Sequence, residues 1–134
     1  MANRRARSLL AAGLAALVAQ AACGGGDDDR PTPADRVRDA TSAYLGALQQ
    51  RRWARACGLM TSGARRELEA ARGSCAVALR GGATLPSEQL ASAGREVAGA
   101  TVRIRGRTAA IGPLADLPQP LRLERVGGRW LING

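Results

Sequence analysis

Three hydrophobic patterns follow one another along the chain. The first is unbroken: Leu9 to Ala19 runs "LLAAGLAALVA" with no polar residue. The second has helical spacing. In "DRVRDATSAYLGALQQRR" the apolar positions Val37, Ala40, Tyr44, Ala47 and Leu48 fall on one face, and Asp35 reads as the N-cap. "WARACGLM" repeats the spacing with Trp53, Ala56, Cys57 and Met60. "TSGARRELEAAR" predicts a third helix capped by Thr61 or Ser62, with Ala64, Leu68 and Ala71 inward. "SCAVALR" and "PSEQL" read as two further short helices. The third pattern alternates. "EVAGATVRIRGR" places Ala98, Ala100, Val102 and Ile104 on one face and Thr101, Arg103 and Arg105 on the other, as in a half-buried strand.

"RTAAIGPL" then predicts a partner strand after a turn at Gly106. "QPLRLERV" sets Leu121 and Leu123 against Arg122 and Glu124. "RWLING" returns with Trp130 and Ile132 on one side, after the two-residue hairpin signal Gly127-Gly128. Helices first and antiparallel strands after is an α+β order, with about four strands.

The N-terminus has the layout of an export signal: a basic "MANRRAR", the apolar run, then small residues up to Cys23. The run is too short for a ~30 Å hydrocarbon core, which takes about 20 residues. Two exits follow. "AQA", Ala19 to Ala21, suits ordinary signal cleavage and a secreted product. "AAC" resembles the end of a bacterial lipoprotein signal. That resemblance implies a diacylglyceryl group on Cys23 and cleavage just before it, although Gln20 stands where such signals usually carry an aliphatic residue. "GGGDDD" after Cys23 suits a solvated tether. The organisation expected is therefore a signal at 1–22, a lipidated cysteine and tether at 23–34, and one α+β domain at 35–134. Residues Gly24 to Ala34 in the flexible regime have an r.m.s. span of ~18 Å, which keeps the domain near the bilayer. The expected place is the extracytoplasmic side of the cell membrane.

Composition narrows the chemistry. The chain has 134 residues, and its 20 basic residues are all Arg; His and Phe are absent. The net charge is +9, and six of those charges remain from Cys23 onward once Arg4, Arg5 and Arg7 leave with the signal. Basic charge suits anionic partners. Nucleic acid is not expected, because the only aromatics are Tyr44, Trp53 and Trp130 and no recognition motif is present.

Cys57 and Cys75 remain as a pair once Cys23 is set aside. In an oxidising compartment a disulfide is expected; two buried thiols are the alternative. Catalysis by either lacks a histidine base, and a metal site lacks further ligands, so no cofactor is expected.

"AYLGALQQRRWARACGLMTSGARRELEA" and the closing "LRLERVGGRWLING" resemble cone-shaped domains of the nuclear transport factor 2-like superfamily, which share a cystatin-like fold. Small exported actinobacterial lipoproteins look similar. The resemblance implies N-terminal helices packed on a curved sheet around a pocket, used by some members for isomerase or hydrolase chemistry and by others for binding. Tyr44, Trp53 and Trp130 would then line the pocket or simply fill the core.

An enzyme of this kind needs a carboxylate, His or Tyr aimed into the pocket. Asp116 and Glu124 are the only acids after Glu96. Asp116 reads as a loop residue, and Glu124 as a solvent partner of Arg122. Arg103, Arg105 and Arg107, with Arg122, form either a basic face towards anionic lipid or cell-wall polymer, or a plain solvated strand face. The expected function is non-catalytic binding at the outer face of the membrane, of a small apolar ligand or of an envelope protein. The alternatives are an accessory subunit of a membrane or envelope protein and a ketosteroid-isomerase-like pocket enzyme.

Overall fold

A computed structural model describes residues 29–82, 85–114 and 117–134. The leader, Cys23 and Asp116 lie outside the described residues.

The first helix, α1, spans Pro33–Gln49. Its N-cap is Thr32, not Asp35. The Thr32 hydroxyl accepts from the Asp35 N–H, and the Asp35 carboxylate accepts from the Thr32 N–H at 3.0 Å. Asp35 therefore occupies the third helical position of a capping box, with Pro33 pre-set for the first turn. The Thr32 hydroxyl also donates to that carboxylate at 2.6 Å, and this bond, the one from the Thr32 N–H and the nearby Arg38 hold the Asp35 carboxyl below its ordinary value. The helix thus begins inside the stretch read from sequence as tether.

Along α1, Val37, Thr41, Tyr44, Leu45, Ala47 and Leu48 are buried. Thr41 tolerates complete burial because its hydroxyl donates to the Val37 carbonyl at 2.8 Å. At the far end the Arg52 N–H bonds the Ala47 carbonyl and Arg51 takes φ 54°, a left-handed helix stop.

Short helices follow: α2 (Trp53–Gly58), α3 (Ser62–Arg72) and α4 (Cys75–Arg80). Thr61 caps α3, as the sequence suggested. Ala64 faces inward, but Ala71 is exposed, because the helix leaves the core after its second turn. A disulfide joins Cys57 of α2 to Cys75 of α4, with Cα atoms 6.1 Å apart.

The helix α5, Ser87–Glu96, is longer than "PSEQL" alone implied and runs into a 3-10 turn at Val97–Gly99. The strand expected from Ala98 onward therefore starts later. Ala98 is exposed in the 3-10 turn, and β1 covers only Val102–Arg105.

β1, β2 (Thr108–Ile111), β3 (Leu121–Val126) and β4 (Arg129–Ile132) form an antiparallel sheet in sequential order. Gly127 and Gly128 both hold positive φ in the tight β3–β4 turn, where a side chain would be strained. Between β2 and β3 the Gly112-Pro113 bond is cis. A Cβ on Gly112 would stand 3.1 Å from the Pro120 Cα and the residue would hold a strained φ of 153°, so a side chain there would crowd the passing segment.

One sheet face packs on α1 and supplies Ala109, Ile111, Leu123, Trp130 and Ile132 to the core. Arg38 of α1 donates to the Ala100 carbonyl at 3.2 Å and fixes the helix beside the start of β1. The loop after α2 lies along β4: the Ile132 N–H bonds the Leu59 carbonyl at 2.9 Å, and the Thr61 N–H bonds the Ile132 carbonyl at 2.8 Å.

Removing both sulfurs with Cys57→Ala and Cys75→Ala should cost ~3 kcal/mol of stability, the loop-closure value for this chain separation. Denaturant midpoints of the oxidised parent and the double variant measure it. Arg51→Gly should raise stability by roughly 1 kcal/mol, since glycine adopts the left-handed conformation without a Cβ clash. Thermal unfolding checks that gain.

Candidate functional site

The aromatic residues singled out by sequence divide in two. Tyr44 and Trp130 are buried in the core between α1 and the sheet, among Leu45, Leu48, Met60 and Ile132. Trp130 also meets Arg125, whose guanidinium carbon lies 5.9 Å from the ring centroid. Trp53 is half-buried and lines an open hollow of about 440 Å³ with Leu48, Leu90, Arg51 and Arg80. The three are therefore not gathered around one cavity. Burial pushes the Tyr44 phenol above its ordinary 10.0. The Cys57–Cys75 pair is consumed in its disulfide. Among the described residues no group of three His, Cys, Asp or Glu side chains comes together as a metal site.

The chemistry lies on the other sheet face. Alternation that turns Ile111, Leu123 and Ile132 inward turns Arg103, Arg105, Thr108, Ala110 and Arg122 outward. Register brings them together. Arg103 pairs with Ala110, and Ala110 with Arg122. The Asn133 N–H then bonds the Arg122 carbonyl at 2.8 Å, which continues the row onto the C-terminal segment. Arg103, Arg105, Arg122 and Asn133 line a hollow of about 480 Å³ floored by Ala110. A second open hollow, about 440 Å³, carries Arg65, Arg107, Arg129 and Glu124 and shares Asn133 with the first. Across the two hollows, six arginines face one acid.

That acid, Glu124 of β3, pairs with Arg107 of the β1–β2 turn at 3.7 Å, not with Arg122 as its strand neighbour suggested. The pair is largely exposed and binds weakly. Among the described residues the ion pairs are this one and Arg38–Asp35, so the row arginines have no carboxylate partner there.

Thr61 sets the polarity of Asn133. Its hydroxyl oxygen accepts from the Ala64 N–H at 3.2 Å, so its proton goes to Asn133 Oδ1 at 2.8 Å. With Oδ1 engaged, the Asn133 amide presents its N–H2 donors. The Thr108 hydroxyl spends its proton on the Arg105 carbonyl at 3.0 Å. The lining is thus rich in donors and suited to anions. Sequence reasoning found Arg103, Arg105, Arg107 and Arg122 as a face. It missed Ala110, Asn133, Arg65 and Arg129, whose proximity depends on strand register and on the docking of α3.

No family model matches the chain, and no curated protein or solved structure matches it significantly. Among the described residues no helix is long and apolar enough to cross a membrane.

Tyr44 is the sole tyrosine. Its raised pKa favours the neutral phenol in the folded chain, so its contribution to stability is complete below pH 10 and is lost as pH rises beyond it. Absorbance at the phenolate band should therefore lag a free tyrosine on alkaline titration and appear with unfolding. A titration that overlays free tyrosine would contradict the burial.

Proposed function

We propose that this protein is a non-catalytic binding module, exported and held at the outer face of the membrane by a lipid on Cys23, and that its outward sheet face lies on anionic phospholipid. The observation carrying the reading is the excess of six arginines over one glutamate across the two hollows of that face. Guanidinium groups suit phosphate better than ammonium groups do, because the planar fork donates two parallel hydrogen bonds. Each basic residue near an anionic surface adds roughly 1 kcal/mol. A lipid chain plus a basic face makes the two-signal arrangement that stable membrane attachment needs. The cone-like domain type remains part of the proposal through the two stretches that resemble it.

The packing of Tyr44 and Trp130 into the core favours a surface over an internal apolar ligand site. The alternative of an accessory subunit would use the same face against an acidic envelope protein. For a pocket enzyme, Glu124 offers a half-buried carboxylate already engaged by Arg107.

Two readouts test the proposal in the producing cells. Intact mass of the membrane-fraction protein should begin at Cys23 with added acyl mass; a chain beginning at Ala22 would refute the anchor. The Cys23→Ser chain should still sediment with membranes at low salt and be released near ~1 M salt, where the Debye length falls to ~3 Å. Adding Arg103→Gln, Arg105→Gln and Arg122→Gln should release it at low salt. An unchanged distribution would refute the face.

A further inference from the structure

If the outward face meets the membrane as proposed above, the register of the sheet decides what a single lipid would touch. Arg103, Ala110, Arg122 and Asn133 form one cross-strand row. Neighbouring strands lie ~4.8 Å apart, so the two arginine backbones stand ~10 Å apart with the methyl group of Ala110 between them. A guanidinium rises on each side of a floor that carries almost no side chain. At the end of the row Asn133 lines the same hollow, with its carbonyl oxygen held by Thr61 and its N–H2 group left as the donor. Beside the floor a smaller hollow of about 180 Å³ shares Arg103 and Ala110 with the row and is otherwise lined by Thr101, Gly112, Pro113 and Pro120. Its walls are mostly apolar.

We propose that the Arg103–Ala110–Arg122 row is a slot for one phosphodiester, the headgroup phosphate of an anionic phospholipid. The phosphate stands on Ala110 and receives a guanidinium from each side, with Asn133 as a further donor. The uncharged headgroup substituent lies in the hollow beside Pro113 and Pro120. A diester fits this arrangement better than a free phosphate, since the adjoining hollow is mostly apolar away from Arg103 and has room for a substituent that carries no charge. Binding is therefore local, with a definite floor, and differs from simple attraction of a basic face to a negative surface.

Ala110→Leu separates the two. It fills the floor and keeps every charge, and Ala110 is only half-buried on the solvent side of the sheet. The exported Cys23→Ser chain is the parent for each variant. The probes are glycerophosphoglycerol, inorganic phosphate, and equimolar phosphatidylglycerol–phosphatidylcholine vesicles. Glycerophosphoglycerol should shift the Ala110 methyl and the Arg103 and Arg122 Nε–H resonances, and inorganic phosphate should bind more weakly. Ala110→Leu should weaken vesicle binding about tenfold, the scale of one lost charge-assisted contact. Arg103→Gln with Arg122→Gln should weaken it roughly 30-fold. Arg103→Lys with Arg122→Lys keeps the charge and loses the forks, so it should also weaken binding, and it serves if Ala110→Leu lowers the melting temperature.

If Ala110→Leu and the lysine pair bind vesicles like the parent while the glutamine pair does not, the slot is wrong and the basic membrane face stands. If the glutamine pair also binds like the parent, both readings fall. Inorganic phosphate binding as tightly as the diester would overturn the assignment to a headgroup.

Discussion

The hydroxyl of Thr61 holds the two halves of this molecule to each other. The residue is 5% exposed and uses every polar atom it has at that point. Its oxygen caps α3 through Ala64, its proton goes to Asn133, and its backbone N–H bonds Ile132. The segment Leu59–Thr61 thereby runs along the edge of β4, and Met60 forms a parallel bridge with Ile132. An open edge of this kind would otherwise invite pairing with another chain. Because α2 leads into this segment and is bridged to α4 by Cys57–Cys75, the disulfide acts on the sheet as well as on the helices. Loss of the Thr61 side chain would leave the α3 cap and the Asn133 amide without their partner at once, while the backbone bond to Ile132 stays, so it should act on both together.

A shortage of large side chains shapes the rest. The core is rich in alanine, and Phe is absent. Apolar area buried per residue is modest in such a core, and a domain of this size has little surplus to lose. Its few bulky groups are placed where they bridge elements: Tyr44 and Leu48 from α1, Met60 from the junction, Trp130 and Ile132 from β4. A buried cross-link is an economical addition, since it lowers the entropy of the unfolded chain without demanding volume in the core. With α1 and the small core on one side, the opposite sheet face needs no apolar residues for folding. Its outward positions are free to carry arginine.

Most of the fold was legible because hydrophobic spacing is local information. Val37 to Leu48 announces a helix, and Gly127-Gly128 announces a turn, whatever surrounds them. The failures occur where side chains are too small to signal a period. Ala98 and Ala100 satisfy an alternating pattern as readily as the 3-10 turn that holds Ala98, so β1 begins later than the sequence implied. Asp35 sits two positions after Pro33 and looks like a cap. The Thr32 hydroxyl wins because a proline at the first helical position places the cap immediately before it. The face of the candidate site was legible, and its geometry was not. That Arg103 and Arg122 flank Ala110 follows from registers set by one turn and a long loop. That Asn133 offers its N–H2 group follows from a threonine far away in sequence.

Charge placement on that face follows a physical logic of its own. Like charges directly opposite each other on adjacent strands destabilise a sheet. Here the register sets Arg103 and Arg122 each opposite Ala110, so their charges are kept two strands apart. Arg105 lies opposite Thr108, and Arg107, at the turn, finds Glu124. The sheet thereby carries many arginines with no directly facing like pair among these positions. Residual repulsion across the hollow is still a cost in the free molecule. An anion between the arginines would convert that repulsion into attraction from both sides, so the gain on binding exceeds what either side chain would supply alone. Neutralising a single arginine therefore removes one attraction and also one repulsion. Two such substitutions across the row should prove non-additive, with an interaction term that appears only when the floor at Ala110 is open to an anion.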